Sequence, residues 1–403
     1  MNSKKNTNYA LPLAFLGMMF FSIGFALGIN SFLIPVINGA LNISSGGSYL
    51  VLAATYSTFI IFSYPATMTI KRIGYKYTIS LSFLIFALAF ALYIYSANNK
   101  SFVMFLVASF FSGIGNTFLQ ASVNPYITIL GPMKSAARRM SIMGICNKLA
   151  WPIAPVFLVF VIGKNTTEIS EISDIVLPFY IILGVFIILG IISLFAPLPD
   201  VKAAGEDDSE SEHPECAYAA SKTSIWQFPH LLLGAITLFL YIGVETIVMG
   251  TLVDYANSLN LPNAATYAWI SSVGMVLGLI CGVILIPKYV SQPTALKICS
   301  SIAVLGSLLV VLTPAPISIW FISLMALGCS LMWPAIWPLA MDELGKFTKA
   351  GSSLLVMAIA GGAVIPTIFG FTKDSFGAQN SYWICLPCFI MILFYAFKGY
   401  KLR

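Results

Sequence analysis

The sequence predicts an all-α membrane protein of twelve transmembrane helices in two pseudo-symmetric halves of six. Three observations carry that prediction. Of the 403 residues, 59% are hydrophobic and only 9% charged, with a mean hydropathy of +0.90; soluble domains carry about 25% charged residues, so a water-facing surface cannot be assembled from this stock. The apolar runs recur at the roughly 20-residue length a helix needs to cross about 30 Å of hydrocarbon. The third observation is a repeat that lays the second half of the chain on the first. The net charge of +6 does not point to nucleic acid, because the basic residues stand singly between apolar runs and form no patch with interleaved aromatics.

Breaking the apolar runs at charges, Pro/Gly and Asn/Ser clusters places the spans near 10–37, 48–70, 77–97, 102–126, 138–163, 175–197, 228–254, 265–287, 293–313, 317–341, 351–371 and 380–398. The first is too long for a signal h-region and lacks a small-residue cleavage site. With the N-terminus in the cytoplasm, inner loops and termini hold seventeen Lys and Arg, among them Lys71, Arg72, Lys76, Arg138 and Arg139. The outer loops hold three, Lys100, Lys164 and Lys373. That asymmetry orients the chain with both termini cytoplasmic. The polar stretch 198–226 carries Gly205-Glu206-Asp207-Asp208-Ser209-Glu210-Ser211-Glu212 and is expected to be a disordered cytoplasmic linker. It separates an N-terminal six-helix half, 1–197, from a C-terminal one, 227–403.

An offset of 214 residues aligns Leu130-Gly131 with Leu344-Gly345, Ala136 with Ala350, Met143 with Met357, Ile145 with Ile359 and Pro152 with Pro366. The same offset lays Ser31 on Glu245 and Asn147-Lys148 on Gly361-Gly362. Six spans, a linker and six related spans resemble the major facilitator fold, in which two parallel halves rock about a midplane site.

Polar side chains inside spans are expensive and mark function by default. Lys148 in helix five lies ten residues beyond Arg138, roughly 15 Å deep at 1.5 Å per residue. Glu245 in helix seven is the acid set well inside a span. The two could contact each other across the halves and change that contact on rocking; the bland alternative is a buried pair that joins the halves without touching substrate. Asn116, Gln120 and Asn124 share one face of helix four at i, i+4 and i+8. Their carboxamides both donate and accept, which suits a polyol, although such groups also serve as interhelical glue. Asn30, Ser31 and Asn147 are similar candidates. Trp151 in helix five and Trp333 and Trp337, one turn apart in helix ten, offer faces for sugar stacking, against the ordinary reading of packing. Trp226 and Trp383 read as interface anchors. Gly274, Gly278 and Gly282 form a small-xxx-small face in helix eight for close helix contact. Cys385 and Cys388 have no His, Asp or second pair nearby, so neither metal nor redox chemistry is indicated. No Ser/His/Asp set, P-loop or paired in-span carboxylates argue for an enzyme.

Several segments are specific enough to show a resemblance. Leu119-Gln120-Ala121-Ser122-Val123-Asn124-Pro125-Tyr126-Ile127-Thr128-Ile129-Leu130-Gly131-Pro132 is similar to the fourth helix of the fucose–galactose–glucose:proton symporter family. Lys71-Arg72-Ile73-Gly74-Tyr75-Lys76 resembles its loop after helix two, and Asn30-Ser31-Phe32-Leu33-Ile34-Pro35 its first-helix motif. The segments 141–148 and 357–366 resemble the glucose/galactose-type branch. The resemblance implies a sugar site and keeps the family's sugar-contacting asparagine as Asn147. Proton-coupled members carry an aspartate and a glutamate where this chain has Ser31 and Gln120, and Lys71 replaces the usual loop aspartate.

The resulting expectation is a multi-pass transporter of the cytoplasmic (inner) membrane, importing a glucose- or galactose-type hexose by alternating access, coupled to sodium or protons. Asn30, Gln120, Asn124, Asn147, Lys148, Trp151, Trp333 and Trp337 would hold sugar; Glu245, with Ser31, would serve ion coupling. No cofactor beyond the coupling ion, no metal and no nucleic acid is expected, and a monomer in the bilayer suffices. The alternatives are an uncoupled sugar facilitator and an exporter of another small amphiphilic solute. A ligand-sensing relative is disfavoured by a linker too short for an output domain.

Overall fold

The structure, a computed structural model, describes residues 10–129, 136–164, 168–169, 171–195, 221–286, 288–344 and 347–402, and every regular element among them is helical. Helix α1 spans Ala10–Leu41. Ser45–Asn98 is continuous by hydrogen bonding, but Gly74 inside it adopts φ 80 and ψ 171, a conformation glycine tolerates without strain. It splits the segment into two crossing limbs, α2 before it and α3 after it, at the basic turn the sequence marks. There follow α4 (Phe102–Ile129), α5 (Ala136–Ile162), α6 (Val176–Phe195), α7 (Pro229–Gly250), α8 (Ala268–Leu285) and α9 (Gln292–Leu312). Helix α10 comes in two pieces, Ala315–Cys329 and Met332–Met341. Helix α11 runs from Thr348–Met357 through a 3-10 turn into Gly361–Phe376, and α12 ends with Cys385–Phe397. Among the described residues eleven segments are long and apolar enough to span a membrane, and Gly74 divides one of them, Ser45–Asn98, into two crossings. The protein is a twelve-helix, multi-pass membrane protein.

Beyond shifts of a few residues at helix ends, three departures from the sequence reading bear on the polar groups described below. Helix α10 breaks at Ser330-Leu331 because Pro334 lacks an N–H and its ring crowds the carbonyl four residues back, that of Ser330. Helix α7 stops at Gly250, and a separate short helix, Leu252–Ser258, carries Asp254. Helix α11 runs five residues past its expected end, to Gly377 at φ 82, so Lys373 sits in its last turn rather than in a loop. The acidic segment expected to be disordered lies outside the described residues.

The repeat is visible in the packing. In the first half α1 packs on α5, α3 on α6 and α2 on α4; in the second, α7 packs on α11, α9 on α12 and α8 on α10. The α1–α5 and α7–α11 crossings are so close that a methyl group at Gly24 would strike the Asn147 carbonyl, and one at Gly361 the Phe239 carbonyl. Gly361 is the residue that the 214-residue offset lays on Asn147. Gly274, Gly278 and Gly282 meet α10, at Ser323, Ser330 and Leu331, as their spacing predicts. Two seams join the halves, α2 on α11 and α5 on α8. Large apolar side chains cover the outside, with Phe160 83% and Phe195 79% exposed, an arrangement that suits hydrocarbon and would aggregate in water.

Candidate functional site

At the middle of the 27-residue α5, where the first half faces the second, Lys148 Nζ lies 2.8 Å from Glu245 Oε1 of α7. Both side chains are largely withdrawn from solvent, at 14% and 11% exposure. The hydroxyl of Tyr241, one turn back on α7, donates to the same Oε1 at 2.7 Å. One carboxylate oxygen therefore collects an ammonium and a phenol, the strong charge-assisted kind of hydrogen bond. Lys148 Nζ also lies 5.4 Å from the centre of the buried Trp151 ring. A lysine embedded in apolar surroundings is tolerable only with such partners. If Glu245 is protonated or captured by a cation, Lys148 loses the attraction that holds it across the interface. The arrangement can thus translate occupancy of one carboxylate into a change between halves.

The other sequence-predicted residues surround this pair to different degrees. Asn147, buried beside Lys148, donates its Nδ2 to the carbonyl of Phe20 at 3.1 Å, so that part of its side chain ties α5 to α1. Asn30 is 1% exposed and donates to Thr55 Oγ1 at 3.4 Å, within a polar cluster linking α1, α2 and α4. Gln120 Nε2 donates to Asn116 Oδ1 at 2.8 Å along the α4 stripe; Asn124, half-buried, is the next member of that stripe. Trp333 and Trp337 are half-buried, with ring centres 5.2 Å apart and planes tilted by 31°, so they lean on one another from adjacent turns of α10. Ser31 follows Asn30 on α1, and its side chain lies outside the described residues. Among the described residues no three His, Cys, Asp or Glu side chains converge as a metal site would require. A surface cleft of about 500 Å³ lies elsewhere, between Tyr255, Lys373, Gln379 and Asn380.

Sequence reasoning missed several polar partners. Tyr241 was legible, since i and i+4 on a helix share a face. Asp254, Tyr49 and Lys373 were not: they come from the short helix after α7, from α2 and from the last turn of α11, and only the fold brings them together.

A model of the Major Facilitator Superfamily matches residues 15–366. The chain belongs to the major facilitator superfamily. This superfamily member is 31% identical over 402 residues to a glucose/galactose transporter of Brucella abortus, covering 98% of this chain and 95% of that one. It is 25% identical to the L-fucose-proton symporter of Escherichia coli, over 97% and 94% of the two chains. The crystal structure of a major facilitator transporter, FucP, in the outward conformation superposes with a TM-score of 0.71 at 24% identity, over 96% of this chain and 98% of that chain. The family and the fold are those of membrane transporters rather than enzymes.

Proposed function

We propose that this superfamily member imports a hexose of the glucose or galactose type by alternating access, with Glu245 as the coupling carboxylate. It would sit in the cytoplasmic membrane as a monomer with both termini inside, as the Lys and Arg distribution favours. The observation that carries the reading is the Lys148–Glu245 contact, which joins the halves at mid-bundle in a chain whose relatives at 30–31% identity bear the names of glucose/galactose transporters. Sugar would bind between the halves beside Asn147, Lys148, Gln120 and Asn124, with Asn30 behind them and Trp151, Trp333 and Trp337 as apolar faces. Ser31 and Gln120 do not titrate, and Glu245 is the buried carboxylate that meets the other half at mid-bundle, so it would carry the coupling ion, a proton or a sodium ion. Binding of that cation competes with Lys148 for the carboxylate, so ion and sugar together release the contact that each half makes with the other.

The test is uptake of labelled glucose and galactose into liposomes under an inward proton gradient, an inward sodium gradient, or none. The expected result is accumulation above equilibrium with one of the two ions, lost in Glu245→Gln while exchange of sugar across the membrane persists. Equilibration alone under all three conditions would make the protein an uncoupled facilitator, and no hexose uptake at all would overturn the substrate.

A further inference from the structure

At one end of the bundle a second polar cluster, which the proposed sugar site does not use, crosses between the halves. Asp254, 7% exposed, receives Lys373 Nζ on both carboxylate oxygens at 2.7 Å. Both residues belong to the second half. The same carboxylate accepts a 3.0 Å hydrogen bond from the hydroxyl of Tyr49, a fully buried residue of α2 in the first half. The next residue on α11, Asp374, points the other way. Its Oδ1 accepts from the backbone N–H of Ser45 at 2.9 Å and its Oδ2 from that of Gly46 at 2.8 Å. Those are unsatisfied donors of the first turn of α2, where an anion is favoured by both hydrogen bonding and the helix dipole.

The surrounding seam is closed around these contacts. There is no room for a methyl group at Gly46 against Phe371, nor at Gly370 against the Tyr49 ring. Tyr49 and Phe369 have ring centres 5.7 Å apart, and Phe369 packs edge-on to Tyr382, whose hydroxyl is 2.7 Å from Thr251. Lys373 and Asp374 thus play opposite parts from adjacent positions: one fixes Asp254 inside its own half, the other grips the partner half.

We propose that Asp374 and the Tyr49–Asp254 contact form a latch that holds this end of the bundle shut by fastening α2 to α11 and α7. The Lys373–Asp254 pair is its fixed anchor. It holds the Asp254 carboxylate aimed at Tyr49, so that opening breaks the Tyr49 hydrogen bond and the two Asp374 bonds while the anchor survives. The latch rests on the halves moving as a transporter's do, not on any particular sugar or ion, and its test therefore needs neither.

Spin labels at Asn99→Cys and Ser375→Cys, exposed positions at this end on opposite halves, report its opening by pulsed electron–electron double resonance in liposomes, with Cys146, Cys216 and Cys281 replaced by Ser. Tyr49→Phe combined with Asp374→Asn should raise the ratio of long to short inter-label distances at least tenfold, because the pair removes the Tyr49 hydrogen bond to a charged group and the charge that Asp374 places at the start of α2. Asp374 is exposed, so Asp374→Asn alone will fold even if the pair of changes does not, and should raise the ratio about threefold. Lys164→Gln, which removes an ion pair confined to the first half at the same end, should leave the distances unchanged. An unaltered distribution in the latch variants, or an equal change in the Lys164 variant, overturns the proposal.

Discussion

Helix α7 and its short continuation carry two withdrawn carboxylates, each paired with a lysine at nearly the same distance, 2.8 Å for Glu245 and 2.7 Å for Asp254. Their partners differ in where they come from. Lys148 reaches Glu245 from the other half of the molecule, through a single carboxylate oxygen. Lys373 reaches Asp254 from within the same half and engages both oxygens. Charges removed from water are costly to separate. A pair inside one rigid body can be permanent, whereas a pair across two bodies is made or broken whenever they move. The first arrangement suits an anchor, the second a conditional contact. Position in the assembly, not distance or burial, decides which is which.

The largest effect should come from breaking that distinction at Asp254. Asp254→Ala strands Lys373 without its buried partner and should cost about 3–5 kcal/mol, read as a fall in the thermal midpoint of the purified protein. Asp254→Asn with Lys373→Met should recover most of that loss, because no uncompensated charge remains. Next comes Glu245→Ala, expected to cost less stability than Asp254→Ala, because rocking of the halves can return Lys148 to water; equal losses would mean that the mid-bundle pair is as permanent as the other. Tyr241→Phe keeps the ring and deletes one donor to Glu245, for a cost of about 1–2 kcal/mol, a smaller fall in the thermal midpoint than for Asp254→Ala; if Glu245 couples transport, the pH or sodium dependence of uptake should shift with it. Lys164→Ala should do least. Its side chain is about half exposed and its ion pair with Asp174 is worth about 0–1 kcal/mol, so its midpoint should stay within error of the parent.

How far the sequence carried the site is clear from individual residues. Lys148 and Glu245 stood out because a charge in an apolar run must be paired or wetted, and the structure brings them into contact. Gln120 and Asn116 bond to one another, as one polar stripe should. For Asn147 and Asn30 the sequence left open whether they face a polyol or bind helices together; the structure gives each a bond to a neighbouring helix. For Asn147 that choice depends on how closely α1 crosses α5, which the Gly24 contact sets and no local pattern announces. Lys373 was read as a loop charge, since a lysine two residues past an apolar run resembles a boundary. Only the neighbouring Asp254 keeps it inside.

The sequence by itself determined that this chain crosses a membrane twelve times, in two related sets of six. Apolar length, the scarcity of charge and the 214-residue repeat are properties of the order of residues alone. Tertiary structure decided which helices touch, and therefore which polar groups find one another. Pairing across distances of about a hundred residues or more, as between Lys148 and Glu245 or Asp254 and Lys373, depends on helix crossings at Gly24, Gly361 and Gly370. Those crossings arise from packing in three dimensions, because side chains far apart in the chain interact only once backbones have been brought close enough for them to meet.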